Sequence, residues 1–233
     1  DFAEHIDTRT LFTLNWRFGG ERSRARAGHS PEELERLFDE WIHRCAEAGW
    51  IRPQGVFGIY PCAAEGETLV LYDPEKTDTP LGSCEFTVVI GAGKEDIVSG
   101  AQYFREKDGG ELDACGVQLT SSGPQIDDII SEVRASGDSE ASLFLQGLSD
   151  RVAEDMAEHL HTMQRELLGV EPGQGTRWSP GYPGLRDIRI NRTILELLDG
   201  GNQLGVRLTD AAEYSPTGTT GAIVSYHPQA RYT

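Results

Sequence analysis

The sequence is short of positive charge. Against 38 Asp and Glu it sets only 21 Lys and Arg, a formal charge of 17 negative over 233 residues. A chain of that sign lacks the basic face needed to displace counterions from a phosphate backbone, which excludes nucleic acid as a partner. Long apolar runs are missing too. Nothing approaches the roughly 18 uninterrupted apolar residues of a membrane-spanning helix, and Asp1 to Arg9 is too charged for a secretory signal. A cytoplasmic chain with no membrane partner is expected. Cysteine is sparse: Cys45, Cys62, Cys84 and Cys115 are separated by 17, 22 and 31 positions, which matches neither zinc-type nor Cys-x-x-Cys redox spacing. No metal site is expected, and the four thiols are expected to be small buried hydrophobes, since a chain this long buries its own core. A G-x-S-x-G elbow and a local cysteine-nucleophile signature are absent, as are internal repeats. Gly91-Ala92-Gly93-Lys94 imitates a phosphate loop, but Val88 and Glu95 stand where that loop needs glycine and Ser or Thr.

What is present is a mixed series of helices and strands. Ser30-Pro31-Glu32-Glu33 is a capping box, and Leu34, Leu37, Phe38, Trp41, Ile42 and Cys45 follow at helical spacing up to Gly49. This helix is expected to cover a sheet with one face. Val56–Tyr60 and Thr68–Tyr72, joined by Glu65-Gly66-Glu67, predict a hairpin, and Phe86–Ile90 a third strand beside them. Ala114–Thr120 predicts another strand and Gln125–Ala135 an acidic helix. Ser139–Leu168 is the longest helical pattern, with Leu145, Leu148, Val152, Met156, Leu160 and Met163 on one face and His159 and His161 pointing apart into solvent. Gly169–Gly184, dense in glycine and proline, is expected to exclude regular structure and to be a long ordered loop or a linker. Asn191 caps a short helix through Leu198 that Gly200-Gly201 ends, and strands follow at Leu204–Leu208 and Ala222–Tyr226. The order of elements favours an α+β fold over a doubly wound one.

The informative motif is Arg177-Trp178-Ser179-Pro180-Gly181-Tyr182-Pro183. It combines a fork of donors for a carboxylate, backbone groups left free around proline, and a ring to lie against a flat or cationic ligand.

That motif, the helix Ile194-Leu195-Glu196-Leu197-Leu198, the run Leu204 to Thr209 and Ser225-Tyr226-His227-Pro228 together resemble the S-adenosylmethionine-binding activation (reactivation) domain of cobalamin-dependent methionine synthase. Val56-Phe57-Gly58-Ile59-Tyr60-Pro61 resembles a strand of that family, and Asp150-Arg151-Val152-Ala153-Glu154 its A-D-R-x-A-E helix. The resemblance spans nearly the whole chain in order. It implies one domain over residues 1–233, α+β and C-shaped, with a central twisted antiparallel sheet flanked by helices and a shallow ligand groove near the arginine loop. It implies as ligand contacts Asp7, Arg177, the Ser179 backbone and Tyr182, with Glu154 and Glu171 near the site and Tyr232-Thr233 on a Tyr-Tyr pair of the family. The ligand's carboxylate suits Arg177, and its ammonium, sulfonium and ribose suit the acids.

The family attaches this domain to a cobalamin-binding domain with an Asp-x-His-x-x-Gly motif, which is absent here. Three functions follow. The expectation drawn is a cobalamin-independent enzyme, a lyase that cleaves S-adenosylmethionine to 1-aminocyclopropane-1-carboxylate and methylthioadenosine, with Glu154, Glu171 or Tyr182 as base and no pyridoxal phosphate. The first alternative is reactivation of a cobalamin-dependent methyltransferase by methyl donation to cobalamin on a partner. The second is a binding module that senses S-adenosylmethionine.

Overall fold

The computed structural model of the protein describes residues 2–19, 30–90 and 97–231. Its strands are β1 (Gln54–Glu65), β2 (Thr68–Tyr72), β3 (Pro80–Glu85), β4 (Val89–Ile90), β5 (Ile97–Val98), β6 (Asp113–Ser121), β7 (Thr176–Trp178), β8 (Arg207–Leu208), β9 (Tyr214–Ser215) and β10 (Thr219–Ser225). Six of them form the central antiparallel sheet, in the order β3-β2-β1-β6-β10-β7. The α-helices after the N-terminal segment are α1 (Pro31–Ala48), α2 (Ile126–Ala135), α3 (Ser139–Leu168), α4 (Ile190–Leu197) and α5 (Gly200–Leu204). The fold is α+β, a six-stranded antiparallel sheet with helices, as the sequence implied.

The expected hairpin is present and longer on its first arm. β1 runs from Gln54 opposite Ser121 to Cys62 opposite Asp113, then continues beside β2 from Cys62 opposite Leu71 to Glu65 opposite Thr68. The third strand is not Phe86–Ile90. Pro80–Glu85 takes that place, with Leu69 opposite Cys84. Proline and glycine disguise it, but a sheet edge has one unpaired side and tolerates proline there. Phe86 instead drops into the core, edge-on to Trp178 at 5.3 Å between ring centroids.

β6 is buried along almost its whole length because helices cover both faces of the sheet. Successive side chains alternate. Cys115, Val117 and Leu119 join Ile190, Ile194, Leu198 and Leu204 of the α4–α5 side in one hydrophobic core. Gly116, Gln118 and Thr120 turn to the other face, where α3 lies.

α1 starts with the capping box in full: Glu33 N–H donates to Ser30 Oγ, and Ser30 N–H donates to a Glu33 oxygen at 2.6 Å. Gly49 ends it in the left-handed conformation. Its apolar face does not cover the sheet. Leu34, Trp41 and Cys45 pack with Leu11, Trp16, Ile130, Phe144 and Leu148 into a second core made of helices, which Trp16 ties by an Nε1–H bond to the Phe144 carbonyl at 2.9 Å. Asn191 is not a cap; it lies inside α4, where its amide donates to the Ala212 carbonyl. Gly200 opens α5 rather than stopping a helix, and the two last expected strands shift to β8 and β10. All four cysteines are buried and free, and burial pushes the Cys45 thiol up to about 12. Among the described residues no helix is long and apolar enough to cross a membrane.

Candidate functional site

The site begins with how α3 is seated on the sheet. Thr120 Oγ1 donates to the Ala153 carbonyl at 2.9 Å and Gln118 Nε2 to the Ala157 carbonyl at 3.0 Å. Residues two apart on a strand share a face, as do residues four apart on a helix, so this ladder of two bonds sets the helix register. Gln164 extends it, donating to Gln118 Oε1 and accepting from the Tyr226 hydroxyl at 2.6 Å. Glu154 and Glu158, each one residue beyond a bonded alanine, face the neighbouring loop.

That loop, Gly169–Gly184, is not free of regular structure as expected: it carries β7, because the β10 edge offers a partner for three of its residues. Gly175 makes the strand possible: its φ is +88°, and a Cβ there would stand 2.2 Å from the Ser225 carbonyl oxygen. β7 then pairs with β10, Trp178 opposite Ile223 and Arg177 opposite Val224. Strand alternation sends Trp178 into the core and Arg177 towards α3. Arg177 Nη2 lies 3.2 Å from Glu158 Oε2, while Glu158 Oε1 lies 3.4 Å from Arg165, whose Nε donates to the Gln174 carbonyl.

The result is a groove along α3 made of three hollows that share Glu154. The middle one, about 520 Å³, is lined by Glu158, His161, Arg165, Arg177, Ser179 and Tyr182 among others. Towards the N-terminal segment a hollow of about 690 Å³ adds Asp7, Arg151, Asp155 and His159. Towards the loop before β10 a third, about 370 Å³, adds Asp150, Asn191, Tyr214 and Thr217. Each falls within the usual range for small-molecule sites, about 300–1,000 Å³.

Asp7, Glu154, Arg177, Ser179 and Tyr182 line this groove. Glu171 does not line it; it sits exposed in the turn after α3, its carbonyl accepting from Gln174 N–H. Tyr232 and Thr233 lie outside the described residues, as does Gly91-Ala92-Gly93-Lys94. Sequence reasoning missed Glu158, Arg165, Asp155 and above all His161, which is 2% exposed rather than solvated.

The electrostatics are polarised along the groove. Asp7 caps the helical turn Thr8–Thr10, and the Thr10 hydroxyl at 2.6 Å, then the Thr10 N–H, hold its carboxyl below the usual range. Burial first, then the Arg165 and Arg177 guanidinium groups, push His161 down to about 3, so its imidazole is neutral at physiological pH. Its Nε2 has no hydrogen-bond partner, and neither have Asn191 Oδ1 and the Tyr214 hydroxyl. Unpartnered buried polar atoms are rare in native proteins, and three of them on residues that line one groove fit a ligand that brings hydrogen bonds.

Asp150 supplies a pH signature. Burial pushes its carboxyl up to about 6, with the Gln146 hydrogen bond opposing and the Asp127 and Glu154 charges adding. The folded state thus holds this proton more tightly than the unfolded one, so its destabilising effect is full above pH 6 and disappears as pH falls through about 4. Asp150→Asn is expected to raise the urea midpoint at pH 7.5 and leave it unchanged at pH 4. Equal midpoints at pH 7.5 would contradict this.

Residues 1–233 match the family described as vitamin B12-dependent methionine synthase, activation domain. The chain belongs to this family. It is 25% identical over 263 residues to methionine synthase of Mycobacterium tuberculosis, covering 100% of this chain and 22% of that protein. It is 24% identical over 261 residues to methionine synthase of Mycobacterium leprae, again over 100% of this chain and 21% of the relative. The chain thus spans about a fifth of the length of these curated relatives. Among solved structures it is similar to the crystal structure of the MetH reactivation domain bound to AdoHcy, with a TM-score of 0.82 and 24% identity over 98% of this chain and 76% of that one.

These findings overturn the expected cobalamin-independent lyase that forms 1-aminocyclopropane-1-carboxylate and methylthioadenosine. The family matched along the whole chain is an activation domain, and nothing in its description is a cleaving enzyme. The geometry gives the physical reason. Abstraction of an α-proton without an electron sink requires a dry pocket in which donors stabilise the developing charge. Here Tyr182 is 56% exposed, Glu154 is only half-buried on the open groove, and Glu171 is outside the groove.

Proposed function

We propose that this chain is a methyl-donating activation module. It holds S-adenosylmethionine in the groove along α3 and presents the methyl group to reduced cobalamin carried by another domain or a partner protein. The observation that carries this reading is the ordering of charge in the groove. One guanidinium, Arg177, lines the groove with its Nη2 paired to the half-exposed Glu158, a partner that a ligand carboxylate can replace, and Asp7 and Glu154 line the same hollow. The ligand is a zwitterion with an added sulfonium, so it offers one anion and two cations to that set. Ser179 and Tyr182 stand beside the ring-sized middle hollow.

The exposure of Tyr182 suits a donor site better than an enclosed one, since the methyl group has to leave the groove. The hollow beside it, lined by Asp150, Asn191, Tyr214 and Thr217, is polar and open, which leaves an acceptor a way to the methyl group. Thr217 at its margin is fixed by Asp127, which accepts from both its N–H and its hydroxyl. Cobalamin would supply the nucleophile there. The chain's own residues bind and orient the donor, and loss of the methyl group turns the sulfonium into the neutral thioether of S-adenosylhomocysteine.

The test is to incubate the chain with S-adenosylmethionine alone and with reduced cobalamin added, and to identify the adenosyl product by mass spectrometry. S-adenosylhomocysteine is expected only where cobalamin is present. Methylthioadenosine in either tube, or unaltered ligand in both, would overturn the proposal.

A further inference from the structure

We propose that Asp155 is a positioning residue for the amine of the bound ligand: through the Asp7 N–H it sets where the Asp7 carboxylate stands in the groove. The inference rests on the reading of the groove as an S-adenosylmethionine site.

Asp7 lies in the N-terminal segment, which is held to the body largely by apolar contacts of Ile6 and Leu11 in the helical core. Such contacts are non-directional. They fix how deep the segment sits and do not by themselves set where Asp7 stands along α3. Trp16, nine residues on, is tied to the Phe144 carbonyl, and at Asp7 itself the directional contact with α3 is its N–H, which donates to Asp155 Oδ2 at 2.9 Å. Asp155 is only 8% exposed, and it is itself held by Arg151, whose Nε reaches Oδ2 at 2.9 Å and whose Nη2 reaches Oδ1 at 2.7 Å.

Two features argue that this pair is not there for the helix alone. Arg151 precedes Asp155 by four residues, the less favourable polarity for an ion pair along a helix. The pair is also largely buried, where desolvation offsets most of the Coulombic attraction. What the arrangement does supply is a fixed acceptor beside the groove. With its backbone pinned there, Asp7 caps its own helical turn through both carboxylate oxygens, and each oxygen keeps a lone pair for an ammonium group.

The role is separable from simple stability because it concerns one group of the ligand. Asp155→Asn keeps an oxygen for the Asp7 N–H; Asp155→Ala removes it. S-adenosylmethionine and its analogue with hydrogen in place of the α-amino group are titrated calorimetrically into wild type and both variants, whose fold is checked by circular dichroism. Wild type and Asp155→Asn are expected to prefer the amine-bearing ligand, and Asp155→Ala to lose about tenfold of that preference while binding the analogue within about twofold of wild type. Hydrogen exchange at the Asp7 amide, slow in wild type and Asp155→Asn and fast in Asp155→Ala, checks the pinning without any ligand. A preference that survives in Asp155→Ala, or an equal loss for both ligands, would overturn the role of Asp155 alone. A wild type that binds neither ligand would overturn the groove reading and this role with it.

Discussion

Arg177→Ala is expected to weaken S-adenosylmethionine binding about 100-fold while leaving the fold intact. Of the three arginines lining the groove, Arg165 is committed through Nε to the Gln174 carbonyl and Arg151 to the buried Asp155, while Arg177 pairs through Nη2 with the half-exposed Glu158. Hydrogen bonds to charged groups contribute about 1.5–3 kcal/mol each, and a bidentate pair uses two of them, so a loss of two orders of magnitude follows even after non-additivity. Arg177→Lys is expected to recover only part of this, because an ammonium restores the charge without the planar fork. Stability should change by less than about 1 kcal/mol, as the Glu158 partner is half exposed and such pairs contribute little. Calorimetric titration against urea unfolding of the same samples separates the two effects. Retained affinity in the alanine variant would remove Arg177 from the site.

The groove was only half legible in the sequence, and α3 shows why. Its boundaries were visible to the residue, because a helical pattern of 30 residues ends on Gly169, which takes up the left-handed cap. The face towards the helical core was visible too, in Leu145, Leu148 and Val152. The face towards the sheet was not. Ser149, Ala153, Ala157, His161 and Gln164 recur at helical spacing there, but they are small or polar and leave no mark in an apolar periodicity. Their burial follows from β6, which presents Gly116, Gln118 and Thr120 to them instead of leucines. A stripe of small residues opposite alternating polar residues of a strand was the available signal. Met163, assigned to the apolar face, is exposed for the same reason: the helix turns Gln164 inward at that point.

Long-range pairing escaped the sequence in a second way. Phe86–Ile90 is the more β-prone run, yet the strand forms at Pro80–Glu85 because the hairpin register leaves Leu69 and Leu71 opposite Cys84 and Gly82. Local propensity yields to the partner strand at an edge. Arg177, Ser179 and Tyr182 lie close together in the chain, so their convergence needed only a turn, whereas Asp7 and Glu154 meet them through the seating of α3, and Glu171 shows that nearness in sequence does not secure a place in the groove.

Trp178→Ala is expected to cost about 3–5 kcal/mol of stability, the largest loss of any single substitution in the site region, and to weaken ligand binding although its ring lies in the core. Trp178 is 1% exposed, stacked on Tyr103 with centroids 6.0 Å apart and edge-on to Phe86. Its Nε1 has no partner, so Trp178→Phe gives up packing volume without breaking a hydrogen bond and is expected to cost under about 1.5 kcal/mol. The coupling to binding arises because β7 has only three residues, with Arg177 next to Trp178 and Ser179 beyond it. Removing the indole leaves a cavity under the strand, which relaxes and carries the Arg177 guanidinium away from its place over the groove. Urea unfolding of both variants tests the stability difference, and titration under conditions where each remains folded tests the coupling. If Trp178→Ala bound S-adenosylmethionine as wild type does, the strand would be held by its β10 pairing alone and the core would have no part in aiming the arginine.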